Sequence, residues 1–130
     1  VLASDFRISV DRASFGLAEV RVGADFPLGP LEIARATLSP NDLRRLMLTG
    51  QPMSAEDARV AGIVDRIVAE EALLEDALAE AAKLGQIPPA TFASVKRQIR
   101  GGTIATIKAG IAAGANAPEG GWFNDETVPA

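Results

Sequence analysis

The sequence predicts an α/β fold in which two or three short strands come first and five or six helices follow. Three observations carry this. Asp5-Phe6-Arg7-Ile8-Ser9-Val10 alternates polar and apolar side chains with period two, which suits a strand with Phe6, Ile8 and Val10 on one face. From Pro30 onward the apolar residues recur at helical spacing behind recognisable capping residues. Hydrophobic residues make up 48% and charged residues 23%, the composition of a chain that folds around a core.

Taken in order, Asp11-Arg12 reads as a turn and Ala13-Ser14-Phe15-Gly16 as a second strand. Residues 17–23 form either a turn of helix or a third strand, the pattern being too brief to choose. Pro27, Gly29 and Pro30 mark a loop over 24–30. Pro30 then sits in the first turn of a helix whose Leu31, Ala34 and Leu38 line one face. Ser39 is a natural N-cap with Pro40 at the first helical position, and Leu43, Leu46 and Met47 form the buried stripe until Gly50. Ser54 caps the next helix, with an acid three residues on, and that helix ends near Gly62. Ile63-Val64-Asp65-Arg66-Ile67-Val68 is short and β-branched, hence extended. Glu70 and Glu71 open a longer helix whose Leu73, Leu74, Ala77, Leu78, Ala81 and Leu84 build an apolar face. Pro88-Pro89 opens another, with Phe92, Val95 and Ile99 inward, and Gly101-Gly102 is expected to break it. A further helix over 103–113 and an irregular tail with Trp122-Phe123 as an anchor complete the chain. So few strands leave edges unpaired and a face uncovered, which by itself suggests a part of something larger.

The totals exclude several functions. A length of 130 residues suits one core. A net charge of −4 and a pI near 4.8 repel phosphate backbones and anionic membranes, so neither nucleic acid nor membrane is an expected partner. No run reaches the roughly 18 apolar residues a spanning helix needs, and the start has no signal pattern, so the expected location is cytoplasmic. Without cysteine or histidine there are no disulfides, thiolate nucleophiles, Ser-His-Asp triads or usual zinc sites. The chemistry must run on carboxylates, hydroxyls, amines or backbone dipoles, and no metal is expected. The opening at Val1, without an initiator Met, and the close at Ala130 suggest ends cut from a longer chain.

Among the seventeen acidic residues Glu19 stands out, because it lies in the apolar run Phe15-Gly16-Leu17-Ala18-Glu19-Val20 beside a glycine. Desolvation there would raise its pKa, the setting a general acid or base needs. The alternative is a carboxylate that is solvated or paired with Arg21 or Arg7. Lys96, Arg97 and Arg100 form a basic cluster suited to phosphate contact or, equally, to a solvated helix face. Phe15, Phe26 and Phe92 read as core or pocket wall. The spacing of Gly110 and Gly114 suits a close-packed helix end.

Four ordered blocks bring in a family. Asp5-Phe6-Arg7-Ile8-Ser9, Phe15-Gly16-Leu17-Ala18-Glu19-Val20-Arg21-Val22-Gly23, Leu48-Thr49-Gly50-Gln51-Pro52-Met53-Ser54-Ala55-Glu56-Asp57-Ala58 and Ala61-Gly62-Ile63-Val64-Asp65-Arg66-Ile67-Val68 resemble consecutive blocks of the enoyl-CoA hydratase/isomerase (crotonase) family. The stretch from Thr91 to Arg100 resembles a later block of it. The resemblance implies the end of a crotonase-type β-spiral over residues 1–38, followed by a helical oligomerisation region over 39–130. It implies an enoyl-CoA hydratase acting by carboxylate acid/base catalysis with a backbone oxyanion hole. An enoyl-CoA isomerase or a non-catalytic assembly module are the alternatives. Glu19 matches the second catalytic glutamate of the hydratases and the main acid/base of the isomerases. Phe15, Leu17, Phe26, Pro27 and Lys96 are the candidate substrate-binding residues. The coenzyme A thioester is the substrate and no further cofactor is implied. The family's other glutamate and its oxyanion amides match positions upstream of Val1, so this chain alone is expected to be inactive. A homo-oligomer, a trimer or dimer of trimers, is implied. Two departures bear on acyl specificity: Ala18 stands where proline is common before the glutamate, and Ala24-Asp25-Phe26-Pro27-Leu28-Gly29-Pro30 replaces a glycine-rich pocket loop.

Overall fold

The computed structural model describes residues 1–115, 121–123 and 125–127. The part of the expected tail at 116–120, 124 and 128–130 lies outside the described residues. Each early strand takes its partner from much later in the chain. β1 (Ile8–Val10) runs parallel to β4 (Arg66–Val68), with Ile8 opposite Arg66 and Val10 opposite Val68. β2 (Ser14–Phe15) runs antiparallel to β3 (Met53–Ser54), with Phe15 opposite Met53. A single 3-10 turn (Glu19–Val22) settles the undecided stretch 17–23 as helical rather than extended.

The helices follow the caps. α1 (Leu28–Thr37) starts two residues before Pro30, which fits within its first turn, and it buries Ala34 while Leu38 just beyond its end is also buried. α2 (Pro40–Leu43) is capped by the Ser39 hydroxyl accepting the Asp42 N–H at 3.1 Å, then widens into a π turn (Arg44–Leu48) that buries Leu46 and Met47. α3 (Ala55–Val60) is capped in the same way by Ser54, whose hydroxyl accepts from the Asp57 N–H at 3.1 Å. A 3-10 turn (Glu70–Ala72) leads into α4 (Leu73–Leu84), and α5 (Pro89–Ala112) packs back across α1. The core is one cluster: Ala34, Leu38, Leu46, Met47, Met53, Ala58, Ile63 and Val64 are buried together, with Phe15, Leu17 and Phe26 packed on its edge.

Three sequence expectations are corrected. The first strand is only three residues long, because the chain before it turns back on itself: the Arg7 guanidinium donates to the carbonyls of Leu2 (3.3 Å), Ser4 (3.2 Å), Gly62 (3.5 Å) and Ile63 (3.2 Å). One side chain thereby ties the opening turn to the segment entering β4. The expected break at Gly101-Gly102 does not occur, and α5 runs unbroken for 24 residues. Glycine costs about 1 kcal/mol in a helix interior. Contacts on both sides offset that cost: Arg100 donates to the Thr37 hydroxyl at 3.3 Å, and Gly110 lies so close to α1 that a Cβ there would stand 1.9 Å from Leu28 Cδ2. The apolar face of α4 is wider than what it buries. Leu73, Ala77, Ala81 and Leu84 border a groove against Phe6 and Ile8, whereas Leu74 and Leu78 are 70% and 62% exposed.

Beside that groove, Arg66 lies 5.5 Å from the Phe6 ring centre and donates to Glu80 at 3.0 Å, and Lys83 donates to the same carboxylate oxygen at 3.2 Å. Lys83 first, and Arg66 with it, holds the Glu80 carboxyl below its ordinary value of 4.5, against an opposing effect of desolvation. A lowered folded pKa adds stability that is present above the unfolded value and lost as pH falls through the folded one. Wild type is therefore expected to exceed Glu80→Gln in urea midpoint at neutral pH, with the gap closing as pH falls below the ordinary carboxylate range and the carboxyl protonates. A gap that stays constant over that fall in pH contradicts the ion pairs.

Candidate functional site

Phe15, Gly16 and Leu17 leave β2 along the wall of a cavity of about 420 Å³, whose other walls include Leu2, Ile33, Leu46 and Ile63. The lining is mostly aliphatic, suited to a hydrocarbon chain rather than a polar ligand. Directly after it comes the turn that carries Glu19. The Arg21 N–H bonds the Ala18 carbonyl at 2.9 Å, and the N–H groups of Gly23 and Ala24 both reach the Glu19 carbonyl, the second at 3.1 Å. The Glu19 backbone is thus held on both sides, and its side chain is half-buried.

One oxygen of the carboxylate, Oε2, is shielded from solvent and has no hydrogen-bond partner among the described residues. Neither arginine proposed as a neutralising partner reaches it. Arg7 turns its two terminal nitrogens to the four carbonyls described above. Arg21 is drawn the other way, donating to the Thr49 carbonyl at 3.2 Å across Gly50, where a Cβ would lie 2.8 Å from Arg21 Cγ. Gly50 also adopts a φ of +59°, so glycine is required there twice over. A buried, unsatisfied carboxylate oxygen costs free energy and is rare unless something else uses it.

The other sequence-predicted residues divide. Phe15 and Leu17 line the cavity, whereas Glu19 does not, standing two residues beyond Leu17. Phe26 is half-buried against the edge of the core, and Pro27 is the N-terminal cap of α1, neither of them in the cavity wall. Lys96 is on α5, in an ion pair with Asp5 and 5.7 Å from the Phe92 ring centre. It lines a second groove of about 200 Å³ with Arg100 and Ile104. That groove shares Ala3 and Ile33 with the apolar cavity, so the two adjoin. Among the described residues no group of three or more His, Cys, Asp or Glu is placed to hold a metal ion. No helix is long and apolar enough to cross a membrane among the described residues. The part Arg7 plays, tying the opening turn to the segment before β4, was not visible in the sequence, because its partners there lie up to 56 residues away.

The paired short strands leading into helices form a crotonase-type fold, since solved structures of enoyl-CoA hydratase/isomerase proteins superpose on them. The enoyl-CoA hydratase/isomerase family model matches residues 1–117. The chain belongs to this family. A carnitinyl-CoA dehydratase from Citrobacter koseri is 34% identical over 99 residues, covering 76% of this chain and 38% of that protein. An enoyl-CoA hydratase/isomerase family protein from Pseudomonas syringae superposes with a TM-score of 0.79 at 31% identity, over 88% of this chain and 50% of the other. An enoyl-CoA hydratase from Mycobacterium ulcerans superposes with a TM-score of 0.81 at 22% identity, over 86% and 49%, a likeness of fold. The chain spans well under half the length of the curated relatives it matches.

Proposed function

We propose that the protein carrying this chain is an acyl-CoA-processing enzyme that hydrates a 2-enoyl-CoA, with Glu19 as an acid/base. The single observation that supports this reading is the orphaned Glu19 Oε2, an acceptor with no donor in its own surroundings. A reacting water or substrate proton would complete it. The Phe15 and Leu17 wall would receive the acyl chain, Phe26 and Pro27 would set the loop beside it, and the groove at Lys96 would take the anionic end of coenzyme A. Lys96 would then exchange Asp5 for phosphate.

In the proposed reaction a carboxylate removes a proton from water as the oxygen bonds to the β carbon. The enolate charge that then develops on the thioester oxygen is held by two backbone N–H donors supplied by the rest of the protein, and a carboxyl group returns a proton to the α carbon, so that one water is added and the carboxylate is regenerated. Elimination of water is the same path reversed. That direction is favoured as a second reading by the relatives named carnitinyl-CoA dehydratases. No cofactor beyond the thioester substrate is needed. We further propose a homo-oligomer, a trimer or dimer of trimers, in which exposed Leu74, Leu78 and Ile99 are covered.

The test is to offer the purified full-length protein 2-enoyl-CoA and 3-enoyl-CoA thioesters separately and to identify products by mass. A product heavier by one water from the first substrate is the expected result. Conversion of the second to a conjugated isomer without water addition replaces hydratase by isomerase. Turnover of neither substrate, nor of a 3-hydroxyacyl-CoA in reverse, removes the acid/base role and leaves an assembly module.

A further inference from the structure

Gly23, Ala24 and Asp25, the three residues after the Glu19 turn, are each fastened to the far end of the chain. The Thr127 hydroxyl donates to the Gly23 carbonyl at 2.7 Å. Ala24 forms an antiparallel bridge with Phe123, and the Asp25 N–H donates to the Trp122 carbonyl at 2.9 Å. Two of these three residues also grip Glu19 from the other side, through their N–H groups on its carbonyl. The C-terminal segment therefore holds the same two residues whose N–H groups hold the Glu19 backbone.

Two further observations make this more than a loose tail lying on a loop. The Glu19–Val22 turn buries no residue of its own, so it has no core anchor and depends on its hydrogen bonds for position. Gly23 has a φ of +67°, and a Cβ there would stand 2.6 Å from the Glu126 carbonyl oxygen and 2.8 Å from the Thr127 nitrogen. Those neighbours are backbone, so no change of rotamer could relieve the contact. Trp122 and Phe123 meanwhile remain 42% and 70% exposed, so the segment is held mainly by its backbone and not by burial of its aromatic rings.

We infer that this C-terminal strap positions the Glu19 carboxylate, with Thr127 and Gly23 as its positioning residues. The inference rests on the reading of Glu19 as an acid/base. Displacements near 1 Å at a reacting group can cost on the order of a hundredfold in rate. A strap gripping the residues beside Glu19 limits such displacements without touching the substrate.

The experiment is a double-mutant cycle on turnover in the full-length protein, with KM and kcat measured separately. Thr127→Val keeps the shape and removes the donated hydrogen bond, and kcat is expected to fall about tenfold with KM changed less than about twofold. Thr127→Ser keeps the donor and should retain wild-type kcat. Gly23→Ala, which excludes the strap sterically, should fall about a hundredfold. In a Glu19→Gln background, Thr127→Val should cost nothing further, because the strap acts through that carboxylate. Wild-type kcat in Thr127→Val, or an equal loss in both backgrounds, overturns the positioning role. If Glu19→Gln alone retains full turnover, the acid/base reading fails first and the strap's role falls with it.

Discussion

Glu19→Gln is expected to lower kcat by about 10²- to 10⁴-fold, the usual contribution of a positioned acid/base, with KM for the acyl-CoA little changed. The substitution keeps the size and the hydrogen-bonding shape of the side chain and removes only its ability to take a proton. The cavity wall at Phe15 and Leu17 and the groove at Lys96, proposed above to bind the thioester, are untouched, so ground-state binding should survive. Stability separates this from a structural role. A carboxylate serving as an ion-pair partner would destabilise the fold when neutralised, but Glu19 Oε2 has no donor to lose. Neutralising it therefore breaks no hydrogen bond at that oxygen, so the variant should unfold at about the same denaturant concentration as wild type. Paired measurement of turnover and urea midpoint checks both halves. Full activity, or lost activity accompanied by a lower midpoint, would remove Glu19 from the chemistry.

Glu19 was singled out on a local signal: an ionisable residue inside an apolar run beside glycine, in a chain with no histidine or cysteine. The caps at Ser39 and Ser54 were legible for the same reason, since each bonds an N–H three residues on. What local pattern cannot supply is a partner far along the chain. β2 and β3 are two residues each, too short for any period, and exist only because Phe15 meets Met53. Lys96 looked like a free cation on a helix, yet its partner Asp5 lies 91 residues earlier. The strap is the extreme case, with Thr127 bonding Gly23 across 104 positions. Gly101-Gly102 misled in the opposite sense. The local cost of two glycines is real, but the helix is held by what Arg100 and Gly110 meet on α1, which the intervening sequence does not encode.

That dependence of short strands on distant packing makes Met53 the position where a single truncation should do most damage to the fold. Its side chain is 2% exposed, one of the two largest fully buried in the described chain, and it belongs to the core cluster that Phe15 and Leu17 pack against. Met53→Ala removes the buried thioether and leaves a cavity that the neighbouring Leu46 and Ile63 can fill only in part, so a loss of about 2–5 kcal/mol is expected. Against a typical total of about 5–15 kcal/mol this is a large fraction. The measurement is the urea midpoint at unchanged m value, with Met53→Leu as control, since a volume-conserving swap should cost less than about 1.5 kcal/mol. The loss should also reach the site. β2 and β3 share only the Ser14–Ser54 and Phe15–Met53 pairs, so a collapsed Met53 leaves Phe15 without backing on the cavity wall. Where the protein still folds, KM for the acyl-CoA should rise while the Glu19 turn, held by Gly23 and Ala24 and not by Met53, keeps kcat within a few-fold of wild type. A midpoint unchanged by Met53→Ala would mean that the core closes without this residue, and a kcat loss larger than the KM rise would mean that the acyl wall and the acid/base turn move as one body.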